Sequence, residues 1–323
     1  MRAPLASKAI LVTGGAGFIG SHLVDRLITE GATQVVVIDN LFLGSEDNLN
    51  DALNKGLYFH NDDAVFSSSL DYIFKRYKID IVFNCATKAL NYSFINPKNA
   101  FDTNVDITLN LLEHQRQGSF ETLCQLSTSE VYGTAVYEPM DEQHPRNPTT
   151  SYAAGKAAAD LAVESYVRMF DLDSFIVRPF NNYGPRQNYK GVLAGLIPTT
   201  IRKILNGQPP ELQGNGRQSR DFIYVDDTID AVINLYSKLP SGESVNISTD
   251  NTITIRDVID QTCQLMGYTG EILNTPARAS DVFCHTACNK KVRSLIDYRL
   301  TPFEHGLVET VEWYKKHISR ESS

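Results

Sequence analysis

Tyr152 and Lys156 stand four residues apart in Tyr152-Ala153-Ala154-Gly155-Lys156. On a helix that spacing puts a phenol and an ammonium on one face. A nearby cation lowers a tyrosine pKa from about 10 toward neutrality, which would make the phenolate a base for a hydroxyl proton. The same lysine can hold a ribose. Upstream, Ser127-Thr128-Ser129-Glu130-Val131-Tyr132-Gly133 collects hydroxyls and a carboxylate in one short segment. Thr128 can hydrogen-bond a substrate hydroxyl, while Ser129 and Glu130 offer a donor and a base beside the same carbon.

A second kind of chemistry is written in Thr13-Gly14-Gly15-Ala16-Gly17-Phe18-Ile19-Gly20. Glycines at 14, 17 and 20 leave side chains out where a pyrophosphate must approach the backbone and a helix N-terminus. Asp39, which ends the next apolar run, is placed to accept hydrogen bonds from both adenosine ribose hydroxyls. Its charge would repel a 2′-phosphate, so NAD is expected rather than NADP. Phe18, Ile19, Asn40 and Ala86 are grouped with these cofactor residues. Asp62, just after the third strand, is a candidate partner for the adenine amino group.

Such groups need a frame, and the chain from Lys8 to about Arg178 alternates short apolar runs with amphipathic segments, as βα units around a parallel sheet do. The expected strands are Ala9-Thr13, Gln34-Asp39, Leu57-His60, Ile79-Cys85, Thr122-Ser127 and Ser174-Arg178. Between the first two, Ile19, Leu23, Val24, Leu27 and Ile28 form one helical stripe closed by Gly31. Two longer helices are expected over Pro97-Gln117 and Thr150-Phe170. Beyond Pro179 the segment to Arg220 is rich in Gly, Pro, Asn and Gln and suits a substrate lobe, with one helix near Leu196-Leu205. Phe222-Val225 and Val245-Ser248 are expected to return to the main sheet. The domain reading is residues 1–180 with about 219–250 as the dinucleotide-binding part. About 181–218 and 251–323 would form the substrate-binding lobe, interleaved with the first part.

The 323 residues are enough for one large core with an added lobe. With 30 Lys and Arg against 38 Asp and Glu, the net charge of −8 argues against non-specific nucleic-acid binding. No apolar run reaches membrane-spanning length and the N-terminus has no signal-peptide core, so the expected location is cytoplasmic. Five cysteines at wide spacings suit reduced thiols. Cys284-His285-x-x-Cys288 lacks a second ligand pair at zinc-site spacing, and no metal is expected.

The glycine turn, Asp39, Ser-Thr-Ser-Glu-Val-Tyr-Gly, Tyr152 to Lys156, and Arg178-Pro179-Phe180-Asn181-Asn182-Tyr183-Gly184-Pro185-Arg186 together resemble an extended short-chain dehydrogenase/reductase of the nucleotide-sugar epimerase and dehydratase group. The resemblance covers nearly the whole chain. It implies an α/β fold: a Rossmann-type doubly wound parallel sheet with a smaller, interleaved α/β C-terminal substrate lobe. It implies NAD as cofactor, a nucleotide-diphosphate sugar as substrate, and a homodimer paired through a four-helix bundle of the two long helices. Thr128, Tyr152 and Lys156 would be the catalytic trio, supported by Asn104. Asn181 would touch the diphosphate or sugar, Arg220 a phosphate, and Arg278 the nucleotide.

Two features depart from the group: Gly155 stands where Ser is common before the lysine, and Asp281-Val282-Phe283-Cys284 lacks the arginines often found there. The resemblance leaves several reactions open after a shared 4-keto step. Glu130 suggests a 4,6-dehydratase. A 4-epimerase and a glucuronate decarboxylase are the alternatives, and an NAD-binding sensor or scaffold is the non-enzyme reading.

Overall fold

The computed structural model describes residues 2–276 and 286–321. Its centre is a seven-stranded, all-parallel sheet of β1 (Ala9–Thr13), β2 (Gln34–Asp39), β3 (Tyr58–Asn61), β4 (Ile81–Asn84), β5 (Thr122–Leu126), β6 (Asp173–Pro179) and β11 (Ser244–Ile247). Their spatial order is β11-β6-β5-β4-β1-β2-β3. The strand order reverses between β1 and β4, so the loops leaving these two strands part company and open a crevice at the carboxyl edge.

Strand side chains alternate between two apolar layers, which is why these runs are apolar throughout. Ile10, Val12, Val35 and Val37 face α1 (Phe18–Thr29) and α7 (Val225–Tyr236). Leu11, Val36 and Ile38 face the layer of α3 (Ser67–Arg76), α4 (Pro97–Arg116) and α5 (Ser151–Phe170). Between them, near the carboxyl ends, runs a buried polar ladder. Thr13 Oγ1 donates to Asn84 Oδ1 at 2.6 Å, and Asn84 Nδ2 donates to Gln125 Oε1 at 2.8 Å. It ties β1, β4 and β5 together just below the loops they launch, and each bond satisfies groups that would be costly to bury alone.

The helices begin where their sequences allow. Pro97 occupies the first turn of α4 behind Asn96, whose side chain accepts from the Asn99 N–H, and Thr150 Oγ1 accepts from the Ala153 N–H at the start of α5. The two helices lie so close that a Cβ built at Gly155 would stand 2.7 Å from the Phe101 carbonyl oxygen. That explains the glycine where a serine was the expected residue.

The remaining elements are α2 (Asn50–Leu53), β7 (Asn181–Tyr183), α6 (Leu196–Leu205), β8 (Glu211–Gln213), β9 (Ser219–Arg220), β10 (Phe222–Tyr224), β12 (Ile253–Thr254), α8 (Ile255–Met266), β13 (Leu273–Thr275), α9 (Lys290–Leu295) and α10 (Phe303–Glu321). One strand assignment is corrected. Phe222–Tyr224 does not rejoin the main sheet but pairs in parallel with Asn181–Tyr183 in a separate two-stranded sheet. The edge of β6 accommodates one neighbour, and β11 takes it, with Ser244 opposite Ile176.

Replacing Gly155 by Ser forces the α5 backbone away from Phe101. The expected cost is about 1–3 kcal/mol of stability, read as a lower urea midpoint at unchanged slope with native circular dichroism. An unchanged midpoint would show that the helices can yield there.

Candidate active site

The carboxyl edge opens into a cavity of about 570 Å³, walled by the glycine turn and by segments following β2, β4, β5 and β6. Gly14, Gly17, Phe18, Ile19, Gly20, Asp39, Asn40, Asp62 and Ala86, all expected cofactor residues, line one half of it. Gly14 has φ +68°, and a Cβ there would meet the Ala86 backbone nitrogen at 2.6 Å. A side chain would therefore prise apart the loops after β1 and β4. Gly17 caps α1 without any side-chain hydrogen bond, so the first N–H groups of the helix are left for an anion.

Asp39 is buried and braces this turn: Oδ2 accepts from the Ala16 N–H at 2.9 Å and Oδ1 from the Leu41 N–H at 2.8 Å. With the Gly17 N–H as a third backbone donor, the carboxylate still has a lone pair for a ribose hydroxyl. Burial pushes its pKa up against these backbone donors. Asn40 is held by Asp63 through a 2.7 Å bond from Nδ2, and Asp62 is exposed with its Oδ1 on the Asp63 N–H at 2.7 Å. The bare helix N-terminus fits a pyrophosphate and the braced carboxylate the hydroxyls of a ribose, as a dinucleotide offers them.

The other half holds the reactive groups. Thr128 ends the β5 segment and caps a short turn, Ser129–Tyr132, with its Oγ1 accepting from the Glu130 N–H at 3.2 Å. Thr128, Ser129, Glu130 and Tyr152 all line the cavity. Tyr152 sits in the first turn of α5, where its backbone N–H has no helical acceptor; Ser93 Oγ accepts it at 2.9 Å. The phenol is half-buried and its pKa is pushed up to about 12, mainly by burial. The Thr128 and Thr87 hydroxyls pull it down, and the Glu130 charge pushes it up.

In the chain without cofactor, burial sets the direction of the Tyr152 shift. Lys156 lies beneath the cavity floor, 3 % exposed, with Nζ donating to the Leu126 carbonyl at 2.9 Å. Desolvation lowers its own pKa to about 8 while the Asp160 charge works the other way. Desolvation is the largest cause of the shift at the phenol.

Asn104 lies beneath the wall, its Oδ1 accepting from Thr87 Oγ1 at 2.7 Å and its Nδ2 donating to the Ala100 carbonyl at 3.0 Å. Asn181 and Arg220 line the far end. The Asn181 Nδ2 is buried without a hydrogen-bond partner among the described residues. Arg278, Cys284 and His285 lie outside the described residues. Among the described residues no cluster could hold a metal ion, and no helix is long and apolar enough to cross a membrane.

Thr87 and Lys88 were not foreseen. Lys88 is buried in the cavity wall with Nζ 3.7 Å from the centre of the Phe42 ring, a cation-π contact across two loops. The value of Thr87 lies in the partners α4 and α5 bring to it, Asn104 and Tyr152.

Comparison with known proteins supports this geometry. Residues 10–248 match the NAD dependent epimerase/dehydratase family. The mouse (Mus musculus) dTDP-D-glucose 4,6-dehydratase is 31% identical over 97% of this chain and 90% of its own. UDP-glucose 4-epimerase of Thermotoga maritima, solved with UDP-glucose, superposes with a TM-score of 0.90 at 30% identity, covering 96% of this chain and 99% of that one. DesIV, a dTDP-glucose 4,6-dehydratase of Streptomyces venezuelae solved with NAD and TYD, gives 0.91 at 28% identity over 97% and 98%.

Asp39→Asn is expected to weaken NAD binding about tenfold or more, the loss of a charge-assisted ribose contact, and to narrow the preference over NADP. Calorimetry with both dinucleotides checks it; unchanged NAD affinity would remove Asp39 from the cofactor site.

Proposed function

The chain belongs to the NAD dependent epimerase/dehydratase family, and on that premise we propose that it is a nucleotide-sugar 4,6-dehydratase acting through a 4-keto sugar. NAD held by the glycine turn and Asp39 would supply the redox chemistry, a hydride acceptor for the sugar C4 and a donor for C6. The chain's own groups manage protons and position. Tyr152 Oη takes the proton of the C4 hydroxyl, which Thr128 orients by hydrogen bonding, and Lys156 holds the nicotinamide ribose. Asn181 receives the diphosphate or the sugar and Arg220 a phosphate, while the resemblance has Arg278 contact the nucleotide.

Glu130 carries the choice of reaction. Its carboxylate lines the cavity and lies close enough to Tyr152 to raise the phenol's pKa. A 4-ketone acidifies the C5 proton, so a carboxylate beside the C4 base can remove it. The C6 hydroxyl would then leave as water carrying the proton that Glu130 took from C5, with Ser129 hydrogen-bonded to it, and C5 would be reprotonated by the proton Tyr152 took from the C4 hydroxyl when hydride returns at C6. Ketone inversion alone would not need this second base. The epimerase reading keeps support from the Thermotoga maritima likeness. A decarboxylase would use the same ketone to expel a C6 carboxylate, and an NAD-binding scaffold would need none of these groups.

Residues 181–218 and 251–323 would form the lobe that encloses the sugar nucleotide. A cytoplasmic location accords with the free thiols at Cys85, Cys124, Cys263 and Cys288. A homodimer through α4 and α5 accords with Leu161, Met169 and Phe170, large apolar side chains on α5 that are 51%, 67% and 42% exposed.

Incubation with UDP-, dTDP-, GDP- and CDP-sugars followed by mass spectrometry is expected to show loss of one water. Loss of carbon dioxide or an unchanged mass with inverted stereochemistry selects the alternatives, and no reaction with any donor favours the scaffold. Glu130→Gln is expected to let bound NAD be reduced, seen as NADH absorbance, while slowing dehydration by about 10²-fold or more. Tyr152→Phe should slow the reduction itself by a similar factor; a wild-type rate would end the catalytic reading. Sedimentation at micromolar concentration should give a dimer, and a monomer would refute that part.

A further inference from the structure

Arg220 and Phe222 line the far end of the cavity, and Asp221 between them does not. Neighbouring side chains of an extended chain point to opposite faces, so the two that meet the cavity turn the third away from it. Asp221 is fully buried on that other side, 0 % exposed. Its carboxylate is met there by the donors of one turn, residues 249–251. Oδ1 accepts from the Thr249 N–H and from Thr249 Oγ1, both at 2.8 Å, and Oδ2 accepts from the Asp250 N–H at 2.9 Å. Burial pushes the Asp221 pKa up to about 6 against these donors, so the group is charged at neutral pH and accepts from all of them.

The turn needs such an anchor. Asp250 has φ +61°, in the left-handed region that a residue with a Cβ adopts at a cost. From this turn the chain enters β12, which pairs antiparallel with β9 so that Ile253 stands opposite Arg220. Just beyond, the Ile255 N–H donates to the Gln218 carbonyl at 2.8 Å. The backbone of Asp221 makes a second link, its carbonyl accepting from the Asn181 N–H at 3.0 Å where β7 meets β10. One buried residue is therefore hydrogen-bonded to Asn181 and to the turn that delivers the pairing strand of Arg220.

We propose that Asp221 is a positioning residue for the nucleoside-diphosphate part of the substrate, its carboxylate fixing the 249–251 turn and with it the strand pair that carries Arg220, and its carbonyl fixing Asn181. This rests on the reading that Asn181 and Arg220 receive the substrate. Asp221 is turned from the cavity and acts through those two residues. The dinucleotide half is built on other segments, the glycine turn and the loops after β2 and β4, so the influence of Asp221 is confined to the substrate half.

The test is calorimetric binding of UDP, dTDP, GDP and CDP to the NAD-loaded full-length protein, and of NAD to the protein alone. In Asp221→Asn the side-chain amide sets a donor against the donors of the turn. The nucleotide that the wild-type protein binds most tightly is expected to bind about tenfold more weakly, with NAD affinity unchanged. A general loosening of the fold would weaken both ligands, so the split separates positioning from support. Thr249→Val removes one donor to Asp221 and is expected to weaken the same nucleotide by a smaller factor; Thr249→Ser, which keeps the hydroxyl, should restore it. If Asp221→Asn does not fold, the Thr249 variants decide. Unchanged nucleotide affinity in Asp221→Asn, or in Thr249→Val where that variant decides, overturns the proposal, as does an equal weakening of NAD. Arg220→Gln distinguishes the proposal from the reading beneath it. Wild-type nucleotide affinity in Arg220→Gln, or no binding of any of the four by the wild-type protein, sinks that reading; weakening in Arg220→Gln with none in Asp221→Asn sinks the role of Asp221 alone.

Discussion

Everything at the active site depends on how closely α5 lies against α4. The approach is possible because Gly155 presents no Cβ to the Phe101 carbonyl. It brings the first turn of α5 under Ser93, which accepts the Tyr152 N–H. It also lets Asn104 on α4 receive the Thr87 hydroxyl beside the phenol. A helix held this way cannot slide, so the Tyr152 phenol, Lys156 and Asp160 keep their places relative to the sheet. Side chains that must meet a reacting atom within a fraction of an ångström need such a support.

The sheet provides the complementary half. Parallel strands end together at one edge, and the reversal of order between β1 and β4 opens a gap there. The Thr13–Asn84–Gln125 ladder locks the strand ends so that the glycine turn, Ala86 and Thr128 face one cavity. Burial then works against the chemistry: it raises the Tyr152 pKa to about 12 and lowers that of Lys156 to about 8. The phenolate–ammonium state is disfavoured in the isolated chain. Thr128 and Thr87 at one end, and Asp160 at the other, partly offset that penalty.

Much of this was legible in spacing. The glycine turn, the acidic residue ending β2 and the i, i+4 pair each describe neighbours a few residues apart, and local geometry carries such patterns faithfully. What spacing left out came from far along the chain. Thr87, Lys88 and Phe42 meet because separate loops converge, and Arg178 reaches Asp160 from a different strand. The misplaced strand at Phe222–Tyr224 has the same origin, since it pairs with β7 while β11 alone takes the free edge of β6.

The order of strands and helices, the dinucleotide turn and the identity of the candidate base and lysine therefore follow from the chain read residue by residue, because each depends on short-range backbone geometry and on side-chain type. The direction of the Tyr152 shift, the retreat of Lys156 beneath the cavity floor and the pairing of Asp160 with Arg178 do not. They are set by desolvation and by charges brought together through the fold, and no count of intervening residues reports how dry a site is or what else has been packed beside it.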